Sequence, residues 1–387
     1  MSWRGEYSRP CVPPTALLSS NAAEARAGTA RRRVFRYARS RKSIILVQKF
    51  TVTVSSLEKK EDAMAEATIN VIPYTPDRRD AWNAFVRTSN NGTVFHTQDF
   101  LDYHPEGRFT FLHLMFYKGD EIVAVLPGGL SGDMFKSPLG ASFGGFVVNA
   151  RLGLQDADAI VKAFIRFCAS RLIKEVYLTP PMQIYNATFN ESIEYAMHYN
   201  HYIVLSSLFS SVIDFSVIHG KDDLSRNTRH KINKAVNKGV RIEENRDFDA
   251  FYPILLKNKE KFSVTPTHTL DELKKIESLL PGMMTLFVAY FENRPIAGEL
   301  LFTCNKQCVL NFYTMHLYDF HNLFAVNYLI EHSIRWCNQK GFRYFDYGVS
   351  ADTFSIDPME PSWTLIEFKE SMGANGCQRK TYYRRIF

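Results

Sequence analysis

The sequence predicts a mixed α/β fold with largely antiparallel sheets, made of two copies of one unit in tandem. Two hairpin-like stretches carry that expectation. "FTFLHLMFYKGDEIVAVLPGGL" reads as two strands around a Lys-Gly-Asp turn, and "MTLFVAYFENRPIAGELLFTCNKQCVLNFYTMHL" reads as three antiparallel strands. Leu112, Leu114, Phe116, Tyr117, Ile122, Ala124 and Leu126 fall on Leu286, Val288, Tyr290, Phe291, Ile296, Gly298 and Leu300 at a constant offset of 174 residues. A helix and then a strand follow each hairpin at a similar spacing, which supports a duplication.

The elements can be justified in order. The chain has 387 residues and is 45% hydrophobic, enough for two cores. Residues 1–63 carry 13 Lys+Arg and 5 Asp+Glu, a net of +8, so the remainder of a chain with net charge +7 is near neutral. This first segment is expected to be disordered. Its Arg-rich, acid-poor stretch "ARAGTARRRVFRYARSRKS" resembles an organelle transit peptide. It also suits a basic arm for RNA or anionic lipid, or an extension upstream of a natural start at Met64.

From Met64 the punctuation is regular. Thr75 and Pro76 open a helix with Trp82, Phe85 and Val86 inward. "HTQDFLDYH" reads as a short helix, and "SPLGASFGGFVV" as a glycine-rich loop. A helix over about 156–173, the strand "EVYLTP", a helix near 191–199 and strands around 202–206 and 212–217 close the first lobe, 64–215. The second lobe, 216–376, starts with "DDLSRNTRHKINKAVNKGV", a basic helix capped by Ser225 and stopped at Gly239. Two more helices, the three strands, a helix over about 324–338, the strand "YFDYG" and the helix of "TLIEFKESMG" follow. Residues 377–387 read as a last strand.

The six Cys are scattered and give no disulfide framework. Cys304 and Cys308 flank "NKQ" and read as a hairpin turn rather than a metal site. No metal is expected. No apolar run is long enough to span a membrane, and a cytoplasmic location is expected, with organelle import as the alternative if 1–50 are a transit peptide.

The order and spacing of "RHKINKAVNKGVRI", "LFVAYFENRPIAGELLF", "AVNYLIEHSIRWCNQKGFRYFDYG" and "LIEFKESMG" resemble the Fem-type peptidyl/aminoacyl transferases and the BioF2-like acyltransferases of the GNAT superfamily. The first lobe's "FHTQDFLDYH" and glycine-rich loop fit too, so the resemblance covers about 74–386. It implies a tandem GNAT-like double domain, in which the final strand, 377–387, returns to the first lobe, and an N-acyltransferase. The donor would be acyl-CoA or an aminoacyl-tRNA, and the acceptor an amine of a sugar-nucleotide or cell-envelope precursor. The sequence leaves the oligomeric state open.

Such transfer needs a neutral amine, a donor carbonyl held in line and stabilisation of the developing oxyanion. The resemblance implies that Phe368 supplies main-chain polar contacts and Lys369 a positive charge at the reaction centre. The plainer reading makes Lys369 a solvated helix lysine beside Glu367 and Glu370. Asp346, at the end of an apolar strand, reads as a base or orienting group, or as the cap of the next turn, with Gly348 permitting close backbone approach. Tyr313 and His316 lie on the strand that GNAT folds part from its neighbour to admit the donor. Core packing with a satisfied hydroxyl is the alternative for Tyr313. Glu299 is a site carboxylate or the outward residue of an alternating strand. Arg226, Arg229 and Lys231 on the basic helix suit a phosphate of CoA, a nucleotide-sugar or tRNA, or form a solvated face. Arg229 matches the family's basic cluster. The loop "LYDFHNLFAVN" lacks the glycines of a CoA pyrophosphate loop, which favours an aminoacyl donor or a reshaped acyl site. No sustained heptads suggest the long coiled-coil arm of some tRNA-using relatives. A non-catalytic RNA- or membrane-associated protein on a degenerate fold is the competing class, and a catalytically dead scaffold is a third.

Overall fold

The computed structural model describes residues 68–261 and 263–387; the readings placed on 1–63 and on Met64 lie outside the described residues. The first half runs β1 (Ile69–Pro73), α1 (Arg79–Thr88), α2 (Gln98–Leu101), β2 (Thr110–Phe111), β3 (Leu114–Lys118), β4 (Glu121–Leu126), β5 (Gly129–Ser131), β6 (Met134–Ser137), β7 (Val147–Val148), α3 (Leu154–Ser170), β8 (Glu175–Leu178), α4 (Ser192–Tyr199) and β9 (Ile203–Asp214). The second half runs α5 (Arg226–Asn237), β10 (Arg241–Asn245), α6 (Phe248–Glu260), α7 (Leu270–Leu279), β11 (Met284–Phe291), β12 (Arg294–Thr303), β13 (Cys308–His316), α8 (Ala325–Gln339), β14 (Tyr344–Val349), α9 (Trp363–Ser371) and β15 (Asn375–Arg385).

Local chemistry accounts for the helix ends. Ser225 Oγ accepts the Thr228 N–H at 3.2 Å and caps α5. Gly239 takes φ +85° and stops it. Thr269 and Glu272 form a reciprocal capping box on α7. Thr75 differs from expectation. Its side chain makes no cap bond, and a short 3₁₀ turn, Pro76–Arg78, precedes α1.

The two hairpins repeat each other more closely than the sequence shows, at a different offset. Lys118 pairs with Glu121 and Phe291 with Arg294, so the turns are 173 residues apart (291 − 118 and 294 − 121). The β-bulges also coincide at that spacing, between Phe116 and Tyr117 and between Ala289 and Tyr290. The offset of 174 was one residue out, because alternation of apolar residues fixes the period of a strand but not its register. The corrected frame places Glu299 where the first hairpin has Leu126.

The strands form two sheets among the described residues. One is ordered β1-β3-β4-β7, and the other β10-β11-β12-β13-β14-β9-β15-β8-β6-β5-β2. The two strands expected around 202–206 and 212–217 are one strand, β9. Its polar middle, with Ser210 and Ser211 buried, is held because β9 has ladder partners in both β14 and β15. β15 lies between β9 and β8. An apolar cluster joins the halves: Phe95, Phe100, Phe143 and Tyr185 from the first pack with Phe251, Phe302 and Tyr313 from the second. Phe95 and Phe302 meet with their rings tilted at 55° and centroids 5.3 Å apart.

Candidate active site

The site begins where two parallel strands part. β13 and β14 pair only through Cys308–Tyr344, Val309–Phe345 and Leu310–Asp346. Beyond Leu310, β13 carries a bulge against Leu300 and Leu301 of β12. Beyond Asp346, β14 leaves its ladder with β9 as well: the pair Asp346–Val212 is followed by Val349–Ser210. Gly348, in that bulge, has φ +74°, a conformation that costs any residue with a Cβ. Beyond Leu310 and Asp346 the two strands form no further ladder pairs with each other.

Asp346 anchors the point of parting. It is 1% exposed. Its Oδ1 accepts Ser210 Oγ–H at 2.9 Å and the Gly348 N–H at 2.8 Å, and its Oδ2 accepts the Tyr185 hydroxyl at 2.7 Å. The turn-capping reading therefore holds, and two further donors from β9 and the first half join it. Burial, with Asp346 alongside, pushes the Tyr185 hydroxyl far above its ordinary pKa, so it stays a donor.

Lys369 approaches from α9. The solvated-face reading fails: Glu367 and Glu370 are exposed, but Lys369 is only 6% exposed. Its Nζ donates to the carbonyls of Gly348 at 2.8 Å and Val349 at 3.2 Å. Burial brings its pKa down to about 8, and the charge of Asp346 works against that fall. Near neutral pH the side chain remains mostly an ammonium and can stabilise negative charge.

The first half closes over the site. Asn305, in the turn between Cys304 and Cys308, donates from Nδ2 to the Tyr185 carbonyl at 2.8 Å and to the Gly92 carbonyl at 3.1 Å. The expected hairpin turn thus also positions Tyr185. The glycine-rich loop passes tightly beside Ser137 and Pro138; a Cβ on Gly144 would lie 2.4 Å from the Pro138 nitrogen. The loop delivers Ser142 and Phe143 to the guanidinium of Arg379 on β15. Arg379 donates from Nη2 to the Ser142 carbonyl and stacks 4.9 Å from the Phe143 ring centre.

The remaining predicted residues have other partners. Tyr313 is 1% exposed, and its hydroxyl meets His268 Nδ1 at 3.2 Å, the core arrangement. Glu299 is fully buried, which corrects its outward reading. It accepts Asn311 Nδ2–H at 2.7 Å and Ser333 Oγ–H at 2.6 Å, and burial raises its pKa to about 7. His316 lines an open cleft with Lys257, Lys261 and Tyr318. Phe368 packs half-buried, and its carbonyl accepts Ser371 Oγ–H of its own helix. On α5, Arg226 is exposed, Arg229 bonds the Asp222 carbonyl at 2.7 Å, and Lys231 lies 5.9 Å from the Phe324 ring. Phe324 has φ +54° immediately before α8, so the turn expected of a glycine is made by a phenylalanine. Tyr185, Ser210 and Arg379 were missed by sequence reasoning. The one signal was the basic-aromatic character of "RKTYYRRIF".

Residues 223–355 match the family model described as acetyltransferase (GNAT) domain. Among curated proteins, none matches the chain. Solved structures that share its fold include three with the following likeness. FemX is 11% identical, with a TM-score of 0.61, over 82% of this chain and 97% of its own. The L-PGS from Bacillus licheniformis is 12% identical, with a TM-score of 0.55, over 80% and 92%. The C-terminal domain of a putative lysylphosphatidylglycerol synthetase from Agrobacterium fabrum is 9% identical, with a TM-score of 0.54, over 79% and 91%. The strand order, with β13 and β14 parted above Asp346, agrees with the domain match. Residues 223–355 thus match a GNAT acetyltransferase domain, on a chain with the fold of FemX, and the protein is an acyltransferase.

Proposed function

We propose that the protein moves an acyl group from an activated donor to a primary amine at the gap between β13 and β14. The observation that carries this is the parting of the two strands at Leu310–Asp346, with the ammonium of Lys369 tied to the stretch of β14 that has left the ladder. The amine lone pair attacks the donor carbonyl and forms a C–N bond. The tetrahedral oxyanion then collapses, the C–S or C–O bond to the carrier breaks, and the departing group takes the proton released by the amine. Lys369 and the main-chain donors of the gap stabilise the oxyanion. Asp346 lies beneath them, fully covered, and acts by fixing Gly348 and Tyr185.

The donor we favour is an acyl-CoA. Three features support a pyrophosphate at the start of α8: the left-handed turn at Phe324, the main-chain N–H groups of the helix's first turn, and Lys231 and Lys234 beside the Phe324 ring. An aminoacyl-tRNA is the second reading, supported by the basic residues of α5, Arg226 exposed and Arg229, Lys231 and Lys234 half-buried, and by the absence of glycine from the loop. The acceptor we favour is an amine of a sugar-nucleotide or cell-envelope precursor. Among the described residues no helix is long and apolar enough to cross a membrane. The buried free thiols of Cys168, Cys304, Cys308 and Cys337 suit a reducing compartment, and we extend the reading to the cytoplasm.

The test is a thermal-shift and transfer assay of the full chain with CoA, acetyl-CoA, aminoacyl-tRNA and UDP-linked amino sugars. A native-state ligand raises the midpoint. Midpoint shifts with CoA compounds and N-acylation of an amine support the first reading. A response to aminoacyl-tRNA alone selects the second, and no transfer from either donor overturns both.

A further inference from the structure

We infer that Arg379 forms an oxyanion-binding subsite beside the reaction gap, taking a carboxylate or phosphate group of a substrate. The inference rests on the proposed reading for the position of the gap, and on the following geometry for the subsite. Arg379 reaches the seam from β15, and its guanidinium plane is set by the Phe143 ring and the Ser142 carbonyl. Its Nε–H is enclosed and has no protein acceptor. No carboxylate forms an ion pair with it among the described residues.

Asp346 is the carboxylate whose charge reaches Arg379, but its oxygens are already engaged by Tyr185, Ser210 and Gly348. The ammonium of Lys369 is bonded to carbonyls alone. The charge of one saturated carboxylate thus reaches two cations, half-buried Arg379 and buried Lys369, which leaves a positive surplus. An orphaned buried donor in a native fold calls for a partner. The fork of a guanidinium matches the two oxygens of a carboxylate or phosphate.

Arg384 sharpens the argument. It lies on the same strand, bonds the Asn200 carbonyl, faces the Tyr202 ring and also has a partnerless Nε–H. It lacks the gap, Asp346 and Lys369, so an orphan N–H alone does not make the subsite. It serves as the control.

The experiment is a thermal titration of the full chain with inorganic phosphate and with acetate, each against sodium chloride at matched ionic strength. The wild-type midpoint is expected to rise and saturate with one of the two anions, which identifies the group as phosphate or carboxylate. Arg379→Gln is expected to abolish the rise, Arg379→Lys to weaken apparent affinity roughly tenfold, and Arg384→Gln to leave it unchanged. Equal response to phosphate, acetate and chloride overturns the inference, as does a wild-type response in Arg379→Gln. If Arg379→Gln fails to fold, unchanged affinity in Arg379→Lys overturns it. The readout is anion binding, so it stands or falls separately from acyl transfer.

Discussion

Asp346 and Lys369 hold one residue from opposite ends: the carboxylate takes the N–H of Gly348, and the ammonium takes its C=O. The peptide groups on both sides of Gly348 are thereby fixed where β14 leaves β13. Lys369→Met keeps the buried bulk and removes the charge and both bonds. Its transfer rate is expected to fall about a hundredfold with substrate affinity little changed. A kcat within twofold of wild type would make Lys369 purely structural.

Asp346→Asn leaves one oxygen to serve three donors. Unfolding free energy is expected to fall by about 2–4 kcal/mol, since hydrogen bonds to a charged group contribute about 1.5–3 kcal/mol each. Tyr185→Phe deletes one of the three and should cost about half as much. Urea titration of the two variants checks the order; equal losses contradict the shared-acceptor arrangement.

Gly348→Ala tests the backbone directly. A Cβ there would meet only Leu310 Cδ1, at 4.0 Å, so the penalty comes from φ +74° rather than from a clash. A stability loss of about 1–2 kcal/mol is expected, with a larger proportional loss of transfer because the pinned turn moves. Unaltered transfer would separate this turn from the chemistry.

The pH dependence of stability distinguishes Lys369 from Glu299. Folding lowers the pKa of Lys369 from 10.5 to about 8, mainly through burial. Between those values the unfolded chain binds more protons, so stability should rise with pH across that window, and the rise should be absent in Lys369→Met. Glu299 behaves in the opposite sense. Burial raises its pKa from 4.5 to about 7, so the folded chain binds more protons in between. Its contribution is complete below 4.5 and is lost as pH climbs through 7; Glu299→Gln should reduce that decline, the remainder falling to Glu194, whose pKa burial likewise raises to about 7. Denaturant midpoints from pH 5 to 10 check both slopes.

Much of the fold was legible because hairpins, caps and stops are local. Ser225, Gly239 and the turn at Gly119 and Asp120 speak for themselves in a few residues. Register was not legible, since the bulges that set it leave no mark on an alternating pattern. For the site, the phrases "YFDYG" and "EFKES" pointed to Asp346 and Lys369. Their partners could not be read: Tyr185 and Ser210 are 161 and 136 residues from Asp346. Only the pairing of β9 with β14 and the turn at Asn305 bring them there. Glu299 was ambiguous because a polar residue in an apolar strand looks the same whether it faces water or a buried serine.

The position of β15 between β9 and β8 has a consequence for the order of events during synthesis. Both neighbours of β15 leave the ribosome more than 150 residues before it does. Until residues 375–385 emerge, each presents an unpaired edge, and Arg379 has not arrived. The nascent chain can assemble its hairpins, but the central sheet stays open and the site stays incomplete. A chain stalled before residue 375 is therefore expected to bind edge-recognising chaperones, and release should coincide with the appearance of activity.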